Sequence, residues 1–229
     1  MRIESAVAVT LLVAVLGIGC GSTSHEADYR NVIADLVATG SDTIALAVLD
    51  QRAQLRQGER PSYAGDSRTA AGIRIRVYTK SGRPLAEDMT HAICASLEQR
   101  GFACEPLATR AHQDEQRVRK LLLQMKASKR LLLRVRRWRT STFLKTTVHY
   151  DLILDALDRE GKPIATSTQR GRQVIEADDP IRPLDVIANK VPPAFKARLE
   201  ALLNHKDVVA ALNAKVEKPD AKQEDSPFD

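Results

Sequence analysis

The chain has 229 residues and a mass of 25.3 kDa, enough for one domain of average size with short extensions. Hydrophobic residues make up 43% of it and charged residues 28%, a composition that excludes global disorder. Lys and Arg number 35 against 29 Asp and Glu, a net charge of +6, and aromatic residues make up only 4%. The three cysteines include no Cys-x-x-Cys pair, which excludes zinc ribbons, thioredoxin-type motifs and disulfide-dense mini-folds.

The N-terminal segment predicts an export signal. Residues 6–18 (AVAVTLLVAVLGI) carry no charge. They are too few to cross a bilayer, which needs ~20 apolar residues, but they have the length of a signal-peptide core. Residues 16–22 (LGIGCGS) resemble the lipobox of bacterial lipoproteins, in which Leu-(Ala/Ser)-(Gly/Ala) precedes a lipidated cysteine. Gly19 and Cys20 match that pattern, and Leu16 lies one position before the usual leucine.

The lipobox resemblance implies a signal peptide over residues 1–19 and a diacylglycerol anchor with an acylated amine on Cys20. Gly21 and Ser22 differ from the aspartate that commonly retains lipoproteins in the inner membrane. The resemblance therefore implies lipid anchoring, palmitate included, in the outer membrane with the protein facing the periplasm. Two alternatives stay open, namely ordinary signal-peptidase cleavage after Gly19 and an uncleaved anchor.

Residues 21–28 (GSTSHEAD) predict a polar tether, and the apolar spacing over 29–37 predicts a short amphipathic helix. The continuous apolar run 43–49 (TIALAVL) predicts a buried strand. Residues 51–72 are polar and rich in Gln, Arg and Gly, which predicts a long loop. Alternation over 73–78 predicts a half-buried strand with a basic outer side.

The rest of the chain predicts two crossover helices, a C-terminal meander and a final helical region. In order, these are a helix from Pro84 to Gly101, a strand at 102–104, a helix over 113–127, strands over 131–138, 148–157 and 164–175, a helical stretch over 183–203 that Pro192 and Pro193 divide, and a disordered tail from 215.

This order of elements predicts an α+β fold, an α/β sandwich in which one mixed sheet of about five strands has helices mainly on one face. The predicted organisation starts with the signal peptide over 1–19. The lipidated cysteine, tether and short helix follow over 20–42, and a single α/β domain covers 43–204. The end of the last helix and the disordered tail occupy 205–229.

Three short segments resemble small bacterial lipoproteins: AVLDQR at 47–52, SGRPLAEDM at 81–89 and QRGF at 99–102. They are similar to segments of the YajG-type lipoproteins and, more remotely, of the periplasmic domain of the curli-secretion lipoprotein. The shared order of elements covers roughly residues 43–203. The resemblance implies a lipid-anchored α/β domain at the outer-membrane or periplasmic face, with no catalytic residues to transfer.

Two cysteines lie where a helix and the following strand could bring them together. Cys94 is on the predicted helix and Cys104 follows the turn at Gly101. A strand returning beneath its own helix would place them near the ~5.5 Å Cα separation of a disulfide, which an oxidising periplasm would form. The alternative is two small buried thiols.

Few residues of the sequence match catalytic or metal-binding patterns. The five histidines show no metal-ligand spacing, so no metal and no cofactor is predicted. Gly65-Asp66-Ser67 is similar to the start of Gly-Asp-Ser lipases, and Asp88-x-x-His91 is similar to their acid–base pair. Asp66 and Ser67 fall in a polar segment, and the second pair lies within one helix, so the sequence indicates a non-enzyme.

The strongest anomaly is a run of basic residues. Residues 116–150 contain eleven cations and no Asp or Glu. Strand alternation would place Arg134, Arg136 and Trp138 on one exposed face. The sequence thus predicts an anionic-ligand patch made of Lys129, Arg130, Arg134, Arg136 and Trp138. The alternative is that the cations pair with Asp151, Asp155 and Asp158 on the neighbouring strand.

Three function classes follow from the sequence. The first is a non-catalytic, lipid-anchored envelope module that binds an anionic envelope polymer or an acidic protein. The second is an accessory subunit of a secretion or transport assembly, in which the protein could form an oligomer. The third is an envelope hydrolase. Nucleic acid is not an expected partner, because a secreted lipoprotein seldom meets any.

Overall fold

A computed structural model of the protein describes residues 25–68, 71–143, 145–176 and 183–214. The predicted signal peptide, Cys20 and the predicted tail from 215 lie outside the described residues. The described elements are β1 (His25–Ala27), β2 (Thr43–Asp50), α1 (Ala53–Arg56), β3 (Tyr63–Arg68), β4 (Arg74–Thr79), α2 (Leu85–Glu98), β5 (Ala103–Leu107), α3 (Glu115–Gln124), β6 (Lys129–Thr142), β7 (Thr146–Leu157), β8 (Pro163–Ile175), α4 (Pro183–Leu203) and α5 (Lys206–Asn213).

The strands form one mixed sheet, which confirms the predicted α+β class but with eight strands instead of about five. The long strand β6 organises it. One edge of β6 pairs antiparallel with β7, which pairs antiparallel with β8. The other edge is shared, because β2 runs parallel to the first half of β6 and β3 runs parallel to its last residues. Strand β5 extends the sheet beyond β2, and β4 and β1 extend it beyond β3.

The gap between β2 and β3 along β6 is filled by one side chain, Arg52, which is fully buried. Its guanidinium forms a two-pronged ion pair with Asp50, with N–O distances of 2.8 and 2.7 Å. It also donates to the backbone carbonyls of Tyr63, Pro61 and Trp138. The strand-ending Asp-x-Arg sequence is therefore a structural device that closes the branch in the sheet.

Gly65 is the other residue that this branch requires. A Cβ atom there would lie 2.3 Å from the carbonyl oxygen and 2.5 Å from the amide nitrogen of Thr140. Only glycine lets β3 come this close to the backbone of β6.

Two apolar layers cover the sheet. Helices α2, α4 and α5 pack on one side, where their buried residues join the larger core. Helix α3 packs on the opposite side, placing Val118 and Leu122 against Ala45, Leu49 and Leu132. Helices α2, α4 and α5 thus share one face, as the sequence predicts, and α3 covers only the part of the other face near β2. We call the side opposite α2, α4 and α5 the open face.

The prediction of a short helix near residue 29 is wrong. Residues 28–42 contain no helix and no strand, and they pack against the helical layer. Their amides bond to side chains of α2, of the turn between α4 and α5, and of α5: Ala34 to Ser96, Val37 to Asn204 and Thr39 to Asn213. These side chains satisfy the backbone in place of helical hydrogen bonds.

Two other local predictions are wrong. The segment predicted as a long loop contains α1 and β3, whose polar residues Asp66 and Ser67 are buried. Helix α4 continues through Pro192 and Pro193. Buried Val191 and Phe195 on either side of the prolines anchor both halves of the helix to one core.

Candidate functional site

The predicted patch on β6 does not form one exposed surface. A β-bulge between Val135 and Arg137 inserts one extra residue, which reverses the side of the sheet on which the following side chains lie. Trp138 therefore points into the core and is fully buried, with its ring centroid 5.9 Å from Tyr29 and 5.3 Å from Phe195. The prediction that Arg134, Arg136 and Trp138 share a surface is wrong for this reason.

Two other members of the predicted patch have structural partners. Lys129 is buried and pairs with Asp42 at 2.7 Å, and it also donates to the carbonyl of Leu212. Arg130 donates from Nε to the carbonyl of Leu122 near the end of α3, at 3.1 Å. Lys129 and Arg130 therefore hold neighbouring segments to the sheet.

Arg134 takes part in a buried ionic network between β6, β7 and α3. Asp155, 1% exposed, accepts hydrogen bonds from Arg134 at 2.6 Å, Arg119 at 2.7 Å and Thr166 at 2.9 Å. Glu115 bonds to Arg119 at 2.9 Å and lies 3.4 Å from Arg134. This network corresponds to the cross-strand pairing alternative and pins α3 to the sheet. Of the predicted patch, only Arg136 is exposed to solvent.

A different set of arginines lies on the open face beyond α3. Register pairing places Arg137 opposite Asp151 and Arg139 opposite His149 on β6 and β7. The same rows continue onto β8 as Arg170 and Arg172. Neighbouring strands are ~4.8 Å apart, so β6 and β8 are about 10 Å apart, and alternate residues along a strand are ~7 Å apart. The Cα atoms of the four arginines therefore lie at the corners of a rectangle of about 7 by 10 Å. We call Arg137, Arg139, Arg170 and Arg172 the arginine face.

The charge of the arginine face is only partly neutralised. Arg170 lies 3.5 Å from Asp151, and Arg139 bonds to Asp66 at 2.6 Å. Among the described residues, Arg137 and Arg172 form no ion pair, and both are exposed. Guanidinium groups presented in this way suit the planar, bidentate recognition of carboxylates and phosphates.

The positive charge of the arginine face affects the pKa of His149. His149 lies on β7, between Arg139 of β6 and Arg172 of β8. Partial burial lowers its pKa below the usual 6.5, and the positive charges of Arg139, Arg137 and Arg172 lower it further. The imidazole is therefore neutral at pH 7, and an anion bound beside it would favour its protonated form.

A polar cleft of ≈ 480 Å³ adjoins the arginine face, between α1 and strands β3, β4 and β6. Asp66 lies in it and accepts hydrogen bonds from Arg74 at 2.5 Å, Arg139 at 2.6 Å and the hydroxyl of Tyr63 at 2.7 Å. Burial alone would raise the pKa of Asp66, but these three hydrogen bonds outweigh it and lower the pKa below the usual value. Asp66 is thus held as a carboxylate that orients two arginines.

The residues considered for hydrolase chemistry are not brought together. Asp66 points into the polar cleft on the open face, whereas neighbouring Ser67 is 1% exposed. His91 lies on α2, in the helical layer on the opposite side of the sheet, and its Nδ1 contacts the carbonyl of Arg30 at 3.1 Å. Asp88, three residues before His91 on the same helix, accepts a hydrogen bond from the hydroxyl of Ser81 at 2.8 Å. The described residues hold no serine, histidine and carboxylate in one cleft.

The two cysteines of the α2–β5 unit are paired. The Sγ atoms of Cys94 and Cys104 are 2.02 Å apart and the Cα atoms 5.3 Å apart, as expected for a strand that returns beneath its own helix. The bond joins the fourteen-residue helix α2 to the edge strand β5.

The similarity of this chain to known proteins is limited. No family model matches the sequence, and no curated protein matches it. Solved structures to which the chain has some similarity include a Xanthomonas campestris protein of the DUF330 family, with a TM-score of 0.48 and 11% identity over 78% of this chain and 93% of that one.

Two others have been described as a lipoprotein and as an assembly. Lipoprotein GNA1162 from Neisseria meningitidis has a TM-score of 0.30 and 15% identity, over 69% of this chain and 94% of its own. The PelC dodecamer from Paraburkholderia phytofirmans has a TM-score of 0.38 and 12% identity, over 80% and 94%. These values establish neither a family nor a function for this chain, and the resemblance to YajG-type lipoproteins stays a prediction.

Two further features concern metals and membranes. Across the described ranges, no group of three or more His, Cys, Asp or Glu side chains has an arrangement that could hold a metal ion. No helix in the same ranges has the length and apolar content needed to cross a bilayer.

Sequence reasoning missed the arginine face because two of its members lie on β8, far from the basic run of β6. The signal was present in the residues QRGRQ at 169–173, which alternate cations along a mostly polar strand. Their meaning depends on the β7–β8 register. It also missed a second, largely apolar cleft of ≈ 500 Å³ where β2 and β5 end beside the start of α2.

Proposed function

We propose that this protein is a lipid-anchored, non-catalytic binding module of the bacterial envelope, whose arginine face holds an anionic envelope polymer. The observation that carries the proposal is the pair of rows Arg139–His149–Arg172 and Arg137–Asp151–Arg170 on an uncovered part of the sheet. Cations held at a set spacing on β6 and β8 match a ligand with repeated phosphates or carboxylates.

Two other observations support the cellular setting. Cys20 follows an apolar segment in a lipobox-like sequence, which would anchor the mature chain by acyl groups. The Cys94–Cys104 disulfide suits an oxidising compartment such as the periplasm. Attachment to the outer membrane, with the domain facing the periplasm, is part of this proposal.

The test compares two charge-reversal pairs of equal net charge. Arg137→Glu with Arg172→Glu changes the arginine face. Arg117→Glu with Lys120→Glu makes the same change at exposed positions of α3 and serves as the control. Each pair is placed in the mature chain carrying Cys20→Ser, and binding to purified lipopolysaccharide is measured at low and high salt.

We expect the arginine-face pair to weaken binding at least tenfold at low salt and the α3 pair to change it less than threefold. Binding by the unaltered chain should fall steeply with salt, because exposed charges are screened within ~8 Å at physiological ionic strength. Equal losses for the two pairs would show that net charge alone drives binding. The arginine face would then have no specific role, and the proposal would be wrong.

A further inference from the structure

The lipid anchor and the sheet are separated by very little chain. Cys20 precedes His25, the first residue of β1, by five positions. Five residues span at most about 18 Å. A domain attached in this way stays against the bilayer, and the side of the domain that faces the lipid depends on where β1 enters the sheet.

Strand β1 fixes that side. It runs parallel to β4, with His25 opposite Val77, so the chain before His25 leads toward the end of the sheet where β4 begins at Arg74. At this end β3 also finishes, since Arg68 pairs with Arg74, and β6 turns into β7, since Thr142 lies beside Ser67 of β3. We call it the tether end. Arg74 lies only three residues, about 10 Å, beyond the level of His25, well within the reach of the tether.

The tether end carries exposed apolar side chains from three separate parts of the chain. Ile73 precedes β4 and is 64% exposed, Phe143 follows β6 and is 54% exposed, and Val174 near the end of β8 is 51% exposed. They make up three of the five large apolar residues that are exposed in the described ranges; the other two are Val37 and Ile164. Ile164 lies at the start of β8, about 33 Å from Val174 along the same strand.

Among the described residues of the tether end, the exposed charges are mainly positive. Arg68, Arg74 and Lys145 lie near these apolar side chains, with Glu176 as the exposed acid of the same described segments, and Arg74 is paired with buried Asp66. An apolar tip flanked by cations is a composition that binds the interfacial region of a bilayer.

We infer that the tether end rests on the leaflet that holds the acyl anchor, with Phe143, Val174 and Ile73 inserted at the level of the lipid headgroups. This inference rests on the proposed acylation of Cys20. The contact orients the domain, because the anchor alone leaves it free to rotate. The row Arg139–His149–Arg172 then stands about 13 Å above Phe143, beyond the screening length of the headgroup charges, and stays available to a polymer.

The experiment uses the mature chain coupled through the Cys20 thiol to a maleimide lipid in vesicles, so that it does not depend on acylation by the cell. The other two cysteines are occupied by the disulfide. Single tryptophans are introduced as Phe143→Trp, Val174→Trp or Ile164→Trp, and quenching by brominated lipids in the bilayer is measured. The native Trp138 is fully buried and gives the same background in all three variants.

We expect brominated lipids to quench the added emission of Phe143→Trp and Val174→Trp at least threefold more than that of Ile164→Trp. Val174 and Ile164 form a matched pair, since both are exposed aliphatic residues of β8 at opposite ends. Equal quenching at both ends, or none at Phe143 and Val174, would overturn the inference. Failure of the cellular protein to take up palmitate would instead count against the proposed anchor, a separate measurement.

Discussion

Replacing Arg52 by alanine tests whether one buried guanidinium holds the branched sheet together. The change leaves Asp50, 3% exposed, as an unpaired buried carboxylate. It also removes one donor each from the carbonyls of Tyr63, Pro61 and Trp138. We therefore expect a large loss of stability without a change of fold, because the neighbouring strands keep their own ladders.

The size of the loss follows from the burial of the pair. Breaking a buried ion pair by removing one partner costs about 3–5 kcal/mol. We expect Arg52→Ala to lower the free energy of unfolding by about 4 kcal/mol, a large part of the ~5–15 kcal/mol that stabilises a typical domain. At ~2–4 °C per kcal/mol for a domain of this size, the melting temperature should fall by about 8–16 °C.

Urea denaturation followed by circular dichroism measures this loss, and Arg76→Ala is the control. Arg76 is paired with Glu59 at 3.1 Å, but its side chain is 53% exposed, so its removal should cost less than ~1 kcal/mol. Adding Asp50→Asn to Arg52→Ala should recover part of the loss, because the unpaired charge is then removed. If Arg52→Ala costs no more than Arg76→Ala, the assignment of Arg52 as the closure of the branch is refuted.

Three other outcomes are expected. Cys20→Ala should abolish palmitate labelling, and continued membrane association after a high-salt wash would rule out lipid anchoring. Cys94→Ala should lower stability by about 3 kcal/mol through the lost eleven-residue loop closure, and denatured, unreduced mature chain should show no free thiol besides Cys20. His149 should titrate below pH 6.5 by NMR, and Arg172→Gln should raise its pKa. Because folding lowers this pKa, the contribution of His149 to stability is complete above pH 6.5 and declines as the pH falls through the folded-state pKa; a pKa at or above 6.5 would contradict the assignment.

The parts of the fold that the sequence predicted are those whose pattern is local. The stripe of Leu85, Met89, Ile93 and Leu97 predicted α2, and the apolar run from Thr43 predicted β2. Strand β3 escaped prediction because its buried Asp66 is neutralised by arginines of β4 and β6, which are distant in sequence.

The candidate site depended on still longer-range information. One inserted residue at the bulge near Arg136 moved Trp138 from the predicted surface to the core, and no feature of the alternating pattern marks that insertion. The arginine face requires the register of three strands. Sequence alone therefore indicated an excess of positive charge but not the surface on which it is displayed.

The order of pairing in the sheet has a consequence for how the chain is delivered. Strand β2 is the most continuously apolar strand, yet both of its neighbours lie later in the chain; Ile44 pairs with Lys129, which follows it by 85 residues. A chain that emerges from a translocation pore N-terminus first presents the β2 segment long before β6 can cover it. During that interval the segment TIALAVL is an apolar strand without its partners, of the kind prone to aggregation, until the β6–β7–β8 meander emerges.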